Sequence, residues 1–210
     1  MSCCEKEDAI QVPAVQIGKK IPELSINVYD PESGDFAEVS FADLRKRKKW
    51  VVLFFYPADF TFVCPTELAD LAEQHSTLKG LGVEVISLSC DTKFAHMAWR
   101  NSERLLSGVK YGMGEDPTGL LARLFGIYDR ATGLAFRGTF IINPDGVLVG
   151  SEVNFNNVGR NAKELVRKVK ANVYLADHPA EVCPARWEQG ESTLTPSAAI
   201  VGNIYDALKK

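Results

Sequence analysis

Three consecutive secondary-structure elements can be predicted from residues 50–90, WVVLFFYPADFTFVCPTELADLAEQHSTLKGLGVEVISLSC. The continuous apolar run at 50–56 is typical of a strand covered on both faces, and residues 83–90 predict a second buried strand. Between them, residues 64–80 carry leucines at helical spacing and end in glycine. Strand, helix and strand make a βαβ unit, so the two strands should be parallel and joined by a right-handed crossover.

Further elements are predicted on both sides of this unit. Residues 23–41 predict a hairpin around a Pro/Ser/Gly turn, and residues 136–155 predict another, because Asn-Pro-Asp-Gly separates two β-rich runs. Helices are expected over about 92–106, from Pro117 onward, and over about 160–176, where valines and a leucine share one face.

These elements predict the domain organisation. We expect one α/β domain over residues 1–176, with a mixed central sheet flanked by helices. Residues 177–210 form a C-terminal arm in this interpretation, because HPAEVCPARWEQGESTLTPS contains prolines and has only weak periodicity. Residues 198–210, AAIVGNIYDALKK, predict a closing helix.

Composition excludes several classes of function. The chain has 210 residues, 24 basic and 27 acidic, so its charge of −3 gives no footprint for nucleic acid. The basic run RKRKK at 45–49 is interpreted as a solvated loop before a buried strand. No segment reaches the roughly 18 to 20 consecutive apolar residues of a membrane span, and the N-terminus lacks a secretory pattern. Five scattered cysteines do not form a disulfide framework, so we expect a cytoplasmic, reducing compartment.

One cysteine, Cys64, stands where the first strand of the βαβ unit gives way to the helix. Pro65 suits the first helical position, which makes Cys64 the N-cap or a first-turn residue. The unpaired N–H groups and the positive end of the helix dipole then favour the thiolate, which is the nucleophilic form. The position also lies at the carboxyl end of the sheet, where sites of α/β proteins form.

Cys64 is open to other interpretations. A buried, inert thiol is the ordinary alternative. Zinc is disfavoured because no C-x-x-C pair is present and the histidines lack ligand spacing: His75, His96 and His178. A Cys–His hydrolase stays open, because such partners need not be close in sequence. The missing C-x-x-C also argues against a disulfide reductase.

Strong reactivity needs more than a thiolate. A free cysteine is already roughly 3% ionised at neutral pH, so full ionisation gains at most about 30-fold. The remainder must come from groups that hold the substrate and stabilise the leaving atom. Thr61, three residues before Cys64, would face the sulfur across the turn, and Pro57 would shield the pocket from water.

Pro57, Thr61 and Cys64 fit P-x-x-x-[TS]-x-x-C, the motif of peroxiredoxins. The stretch DFTFVCPTE at 59–67 resembles the typical two-cysteine class of this family, which includes the alkyl hydroperoxide reductases of the AhpC type. EVCPARW at 181–187 is similar to the segment that holds the family's resolving cysteine. The resemblance also runs through SCDTKFAHMAW, FRGTF and GRNAKELVRKVKA, and so covers nearly the whole chain.

The resemblance implies a thioredoxin-like fold with an N-terminal hairpin, and a role for each site residue. Cys64 would be the peroxidatic cysteine that attacks the terminal peroxide oxygen. Thr61 and backbone N–H groups would hold the peroxide, and Pro57 would shield the site. Arg137 in FRGTF matches the active-site arginine, which favours the thiolate and stabilises the leaving hydroxide or alkoxide.

The family pattern also implies supporting residues. Glu67 by itself would oppose a nearby thiolate, but the family pairs this glutamate with arginines. Arg160 matches the second arginine, so a Glu67–Arg160–Arg137 network is expected. Cys183 would be the resolving cysteine, which forms a disulfide with Cys64 of another subunit after local unwinding of the helix.

Partners and cofactors follow from the same resemblance. The expected assembly is a homodimer and further a ring-shaped decamer, with no metal, haem or flavin. The reductant would be thioredoxin, a dedicated flavoprotein or another dithiol carrier. A ring-forming holdase chaperone or redox-signalling scaffold is the alternative function. Cys90 is expected to be a structural thiol, and Cys3 and Cys4 to be incidental. Since the chain ends in NIYDALKK, without the Tyr-Phe pair of oxidation-sensitive members, resistance to overoxidation is expected.

Overall fold

The computed structural model describes residues 14–209, so Cys3 and Cys4 lie outside the described part of the chain. Its helices and strands follow in the order β1 (Ser25–Asp30), β2 (Asp35–Ser40), α1 (Phe41–Lys46), β3 (Trp50–Phe55), α2 (Cys64–Gly80), β4 (Val83–Ser89), α3 (Lys93–Ser102), β5 (Gly112–Glu115), α4 (Leu120–Leu124), β6 (Tyr128–Asp129), β7 (Leu134–Ala135), β8 (Arg137–Ile142), β9 (Leu148–Asn154), α5 (Ala162–Asp177) and α6 (Ile204–Ala207). Both predicted hairpins and the predicted βαβ unit are confirmed.

Seven strands form one mixed sheet in the order β2-β1-β5-β4-β3-β8-β9. Strands β3 and β4 are parallel, with Trp50 opposite Val83 and Phe55 opposite Leu88, as the βαβ pattern predicts. Strand β5 also runs parallel to β4, whereas β8 is antiparallel to β3. The parallel strands therefore end together at one edge of the sheet, and α2 begins there.

The sheet has an apolar cluster on each face. One cluster joins the sheet to α2, α3 and α5, and the other joins it to α1 and α4. All six residues of β3 are buried, because this strand lies between β4 and β8 and is covered on both faces. The βαβ unit thus lies at the centre of the molecule, and α2 packs on the sheet through Leu68, Leu71 and Leu78.

Two predicted helices are shorter in the structure. The helix expected over 92–106 ends at Ser102, because Glu103 is extended (φ −90°, ψ 114°) and its carboxylate accepts a hydrogen bond from Leu105 N. A 3₁₀ helix, Arg104–Gly108, follows.

The helix expected from Pro117 begins only at Leu120. Gly119 precedes it in the left-handed conformation, with φ 65°, which side chains other than glycine rarely adopt. The buried carboxylate of Asp116 accepts hydrogen bonds from Leu121 N and Ala122 N at 3.1 and 2.8 Å and so caps α4. Sequence spacing did not reveal this cap.

The C-terminal arm folds back on α5 of its own chain. Trp187 is buried, lies 5.1 Å from the Tyr174 ring, and its carbonyl accepts a hydrogen bond from Arg167 Nη1 at 3.2 Å. Val182 and Leu194 pair as an isolated bridge, which closes the loop between them.

The predicted closing helix over 198–210 is wrong. The structure has a 3₁₀ turn at Ala198–Ile200 and the single-turn helix α6, separated by Gly202 with φ 80°. Across residues 14–209, no helix is both long and apolar enough to cross a membrane. The same residues contain no group of three or more His, Cys, Asp or Glu side chains placed to hold a metal ion.

Candidate active site

Cys64 is the first residue of α2, and its side chain is fully buried. Val63 is the N-cap and offers no capping side chain, and Pro65 takes the second helical position rather than the predicted first. The N–H groups of Thr66 and Glu67 donate to the Val63 carbonyl oxygen at 3.0 and 3.2 Å, so the backbone closes this turn, and the positive end of the helix dipole lies beside the sulfur. Glu67 completes this turn, and its side chain is 1% exposed.

Arg137, the first residue of β8, contacts the sulfur from the strand next to β3. Its Nη1 donates to Cys64 Sγ at 3.4 Å and to Glu67 Oε2 at 2.5 Å. Its Nε and Nη2 both donate to the carbonyl oxygen of Asn156, at 3.0 and 2.8 Å. The guanidinium is therefore held on two sides, with one donor directed at the cysteine.

Arg160 precedes α5 and binds the other side of Glu67. Its Nε and its backbone N both donate to Glu67 Oε1 at 2.8 Å, and its Nη2 donates to Oε2 at 3.2 Å. Its Nη1 donates to Thr139 Oγ1 at 3.1 Å, and its guanidinium lies 3.4 Å from the centre of the Phe54 ring. Burial lowers the pKa of Arg160, and the hydrogen bonds to Glu67 oppose this shift.

Pro57 and Thr61 lie in the loop between β3 and α2. Pro57 is buried directly after the strand. The Thr61 hydroxyl donates to the carbonyl oxygen of Ala58 at 2.8 Å, so its proton is used within the loop. Its oxygen lone pairs stay available to accept a hydrogen bond from a peroxide.

A buried polar cluster that the sequence analysis missed fixes this loop. Tyr56 Oη donates to Asp59 Oδ1 at 2.7 Å, and His96 Nδ1 lies 2.8 Å from Asp59 Oδ2. The backbone N–H of Asp59 donates to Asp91 Oδ2 at 2.9 Å. Burial raises the pKa of Asp59, with a further contribution from Asp91, while the bond to His96 lowers it.

Two further contacts hold α2 beyond its first turn. The buried Tyr111 hydroxyl donates to the carbonyl oxygen of Leu68 at 2.8 Å. Asp70 Oδ2 accepts a hydrogen bond from Ala162 N at 2.7 Å and so binds the start of α5. Residues 64–67 are therefore followed at once by a segment with its own attachments to the core.

Cys183 lies in the C-terminal arm, and both it and Cys64 are free thiols in the structure. Arg160 and Ala162 place the start of α5 beside Glu67, whereas Tyr174, which contacts the arm at Glu181 and Trp187, lies near the end of α5. The arm is also joined to the first half of α5, because Arg167 Nη1 donates to the Trp187 carbonyl oxygen at 3.2 Å. Burial and then Glu181 raise the pKa of the Cys183 thiol, and Arg167 opposes this shift.

Cys90 follows β4 and is half-buried. Burial, with smaller contributions from Asp116 and Asp91, raises the pKa of its thiol to about 11. A thiol with such a pKa is a poor nucleophile at neutral pH, which agrees with the structural role expected for it.

The structure thus brings four predicted site residues into contact, Cys64, Glu67, Arg137 and Arg160. A buried cysteine begins a helix at the edge of a thioredoxin-like sheet, and an arginine donates to its sulfur. Fold and site together define a peroxiredoxin, an enzyme that reduces peroxides with a cysteine thiol.

Comparison with known proteins identifies the family. The AhpC/TSA family profile matches residues 17–151. The chain belongs to this family. It is 50% identical over 188 residues to alkyl hydroperoxide reductase C of Bacillus subtilis (strain 168), across 90% of this chain and 98% of that protein. The protein of the same name from Staphylococcus aureus (strain N315) is 48% identical with the same coverage.

Solved structures agree with this assignment. The crystal structure of Enterococcus faecalis AhpC matches 81% of this chain and 99% of its own, at 43% identity and a TM-score of 0.76. The reduced 2-Cys peroxiredoxin of Plasmodium vivax matches 89% of this chain and 98% of its own, at 27% identity and a TM-score of 0.82.

Proposed function

We propose that this peroxiredoxin reduces hydrogen peroxide and small organic hydroperoxides through Cys64. The observation that supports this most directly is the 3.4 Å hydrogen bond from Arg137 Nη1 to the Cys64 sulfur. It places a fixed positive charge beside the nucleophile and close to the peroxide oxygens as they become charged. The network expected from Glu67 and Arg160 holds that charge in position.

In the first step, the Cys64 thiolate attacks the terminal oxygen of the hydroperoxide. A sulfur–oxygen bond forms, the oxygen–oxygen bond breaks, and the alkoxide or hydroxide leaves and takes up a proton. Cys64 becomes a sulfenic acid and the peroxide becomes an alcohol or water. Thr61 accepts a hydrogen bond from the peroxide, Arg137 stabilises the leaving oxygen, and Pro57 keeps water away.

In the second step, Cys183 of another subunit attacks the sulfenic acid. A disulfide forms, and the sulfenic oxygen leaves as water. Supporting this proposal, Cys64 and Cys183 of one chain are both free thiols, and Cys183 lies in the arm that packs on α5. Cys64 is fully buried, and a disulfide requires Cα atoms within about 7 Å, so the first turn of α2 must unwind.

In the third step, the disulfide is reduced and both thiols are restored. The reductant is thioredoxin, a dedicated flavoprotein or another dithiol carrier. We further propose a homodimer as the minimal unit, assembly into a ring-shaped decamer, and a cytoplasmic location. The chain divides into the peroxidase domain of residues 1–176 and the arm of residues 177–210. The alternative of a holdase chaperone is not favoured, since the curated relatives are named as reductases.

Peroxide consumption tests the assignment of Cys64. Reduced protein and excess dithiothreitol would receive hydrogen peroxide, and the peroxide remaining would be measured over time. Cys64→Ser should consume peroxide no faster than dithiothreitol alone, while the matched Cys90→Ser variant should keep the wild-type rate. Wild-type turnover by Cys64→Ser would overturn the proposal.

A further inference from the structure

Two buried arginines share one carboxylate. The side chains of Arg137 and Arg160 are 4% and 3% exposed. Among the residues that the structure describes, the salt bridges of both go to Glu67 alone. Four N–H groups converge on that carboxylate: Nη1 of Arg137, and Nε, Nη2 and the backbone N of Arg160.

Unwinding of the first turn of α2 removes this carboxylate from the arginines. Glu67 is the fourth residue of the helix, so it belongs to the turn that releases Cys64. The attachments of Tyr111 to Leu68 and of Asp70 to α5 hold the rest of the helix. With the helix held from Leu68 onward, unwinding limited to residues 64–67 would carry Glu67 away with Cys64.

The arginines stay in place when Glu67 leaves. Arg137 is held by the carbonyl oxygen of Asn156, and Arg160 by Thr139 and the Phe54 ring. None of these contacts belongs to the unwinding turn. When a buried cation loses its ionic partner, the population of that conformation falls by about a hundredfold or more. The unwound form thus contains two uncompensated charges and four unused donors.

We propose that a small oxyanion, a carboxylate or an inorganic sulfate or phosphate, takes the place of Glu67 in the disulfide form. Two guanidinium groups and a backbone N–H already match the oxygens of one carboxylate, and the arginine fork fits such oxyanions. The inference rests on the proposed function, because the Cys64–Cys183 disulfide is what holds the turn unwound.

Anion binding is linked to the equilibrium between the wound and unwound forms of α2. A ligand that binds only the unwound form shifts the equilibrium toward it. Oxyanions then stabilise the disulfide, and they also favour unwinding while Cys64 is a sulfenic acid. A larger unwound fraction speeds disulfide formation relative to a second oxidation, so overoxidation falls as the anion concentration rises.

Sulfate is the probe, with sodium chloride at equal ionic strength as the control. The full-length protein would be equilibrated with a dithiothreitol redox buffer, and its disulfide fraction measured by non-reducing electrophoresis. At ten times the dissociation constant, sulfate should shift the equilibrium about tenfold toward the disulfide. Arg160→Gln should abolish this shift, and Arg104→Gln, which removes an exposed arginine, should keep it.

Glu67→Ala tests the anion site without any redox step, because it empties the site in the reduced protein. Sulfate should raise the melting temperature of reduced Glu67→Ala and leave that of reduced wild type unchanged relative to chloride. If Glu67→Ala folds only in sulfate, the inference is supported, and if it folds in neither salt, the wild-type redox measurement decides.

The outcomes separate the two proposals. If wild type forms no Cys64–Cys183 disulfide after peroxide, the proposed function fails, and the Glu67→Ala measurement still decides the anion site. If the disulfide forms but sulfate shifts neither the equilibrium nor the melting temperature, the anion inference is overturned. Equal stabilisation of reduced wild type would place the sulfate elsewhere and would also overturn it.

Discussion

Arg137→Gln removes the charged group nearest the sulfur and should slow the first step strongly. The variant loses the donor at 3.4 Å from Cys64 Sγ and both hydrogen bonds to Asn156. Glu67 keeps its three hydrogen bonds from Arg160, so α2 and α5 stay joined. The change therefore affects the chemistry more than the fold.

The expected decrease in the oxidation rate constant follows from the charges that the Arg137 guanidinium stabilises. Removing one fixed donor that stabilises charge in a transition state costs about 10²- to 10³-fold in rate, or about 2.7–4 kcal/mol. Arg137 acts on the attacking sulfur and on the leaving oxygen, so the rate constant for oxidation should fall by at least about 100-fold. The rate constant of Arg137→Lys should lie between those of Arg137→Gln and wild type, because an ammonium keeps the charge but lacks the planar donor geometry of the guanidinium.

The assay is a single-turnover reaction of reduced enzyme with hydrogen peroxide, stopped at successive times and analysed by intact mass. Cys183→Ser would be the background, so that the sulfenic acid persists and its formation gives the rate constant directly. Arg104→Gln serves as the matched control. An Arg137→Gln rate constant within threefold of the background protein would refute the role of Arg137.

Three further results are expected. Burial and Glu181 raise the pKa of the Cys183 thiol, so the thiolate fraction and the rate of disulfide formation should rise about tenfold per pH unit through neutrality. The disulfide of Glu181→Gln should form faster than that of wild type at pH 7, as measured by quenched electrophoresis. Tyr111→Phe should lower the free energy of unfolding by about 1 kcal/mol in a urea titration, and Tyr29→Phe, whose ring packs on another aromatic ring, should change it less. Trp187→Ala removes a buried anchor, worth about 3–5 kcal/mol, so the arm should detach and the sulfenic acid should persist longer by mass spectrometry; unchanged values in each case would contradict these assignments.

The centre of the fold was predictable because its pattern is local and strong. The run at 50–56 is apolar at every position and β3 is buried at every position, while α2 begins at Cys64, one residue before the proline that was expected to start it. The prediction of a closing helix over residues 198–210 was wrong because of the backbone conformation of one residue. Gly202 takes a left-handed conformation there and divides the segment in two.

The site was predictable only in part. Residues near Cys64 follow from the spacing of one motif, and the resemblance to peroxiredoxins supplied Arg137 and Arg160. The Asp59–His96 contact joins residues 37 positions apart and brings together the β3–α2 loop and α3. The Tyr111–Leu68 contact joins residues 43 positions apart. Neither leaves a periodicity in the sequence, because such pairs are set by how the elements pack.

The most direct test of the account is the covalent state of the protein after one equivalent of hydrogen peroxide. Wild type, Cys64→Ser and Cys183→Ser would be compared by non-reducing electrophoresis and intact mass. The account predicts a disulfide-linked dimer in wild type, none in either variant, and a sulfenic acid on Cys64 in Cys183→Ser. A wild-type protein that consumes the peroxide yet stays monomeric on the gel would contradict the intersubunit role of Cys183.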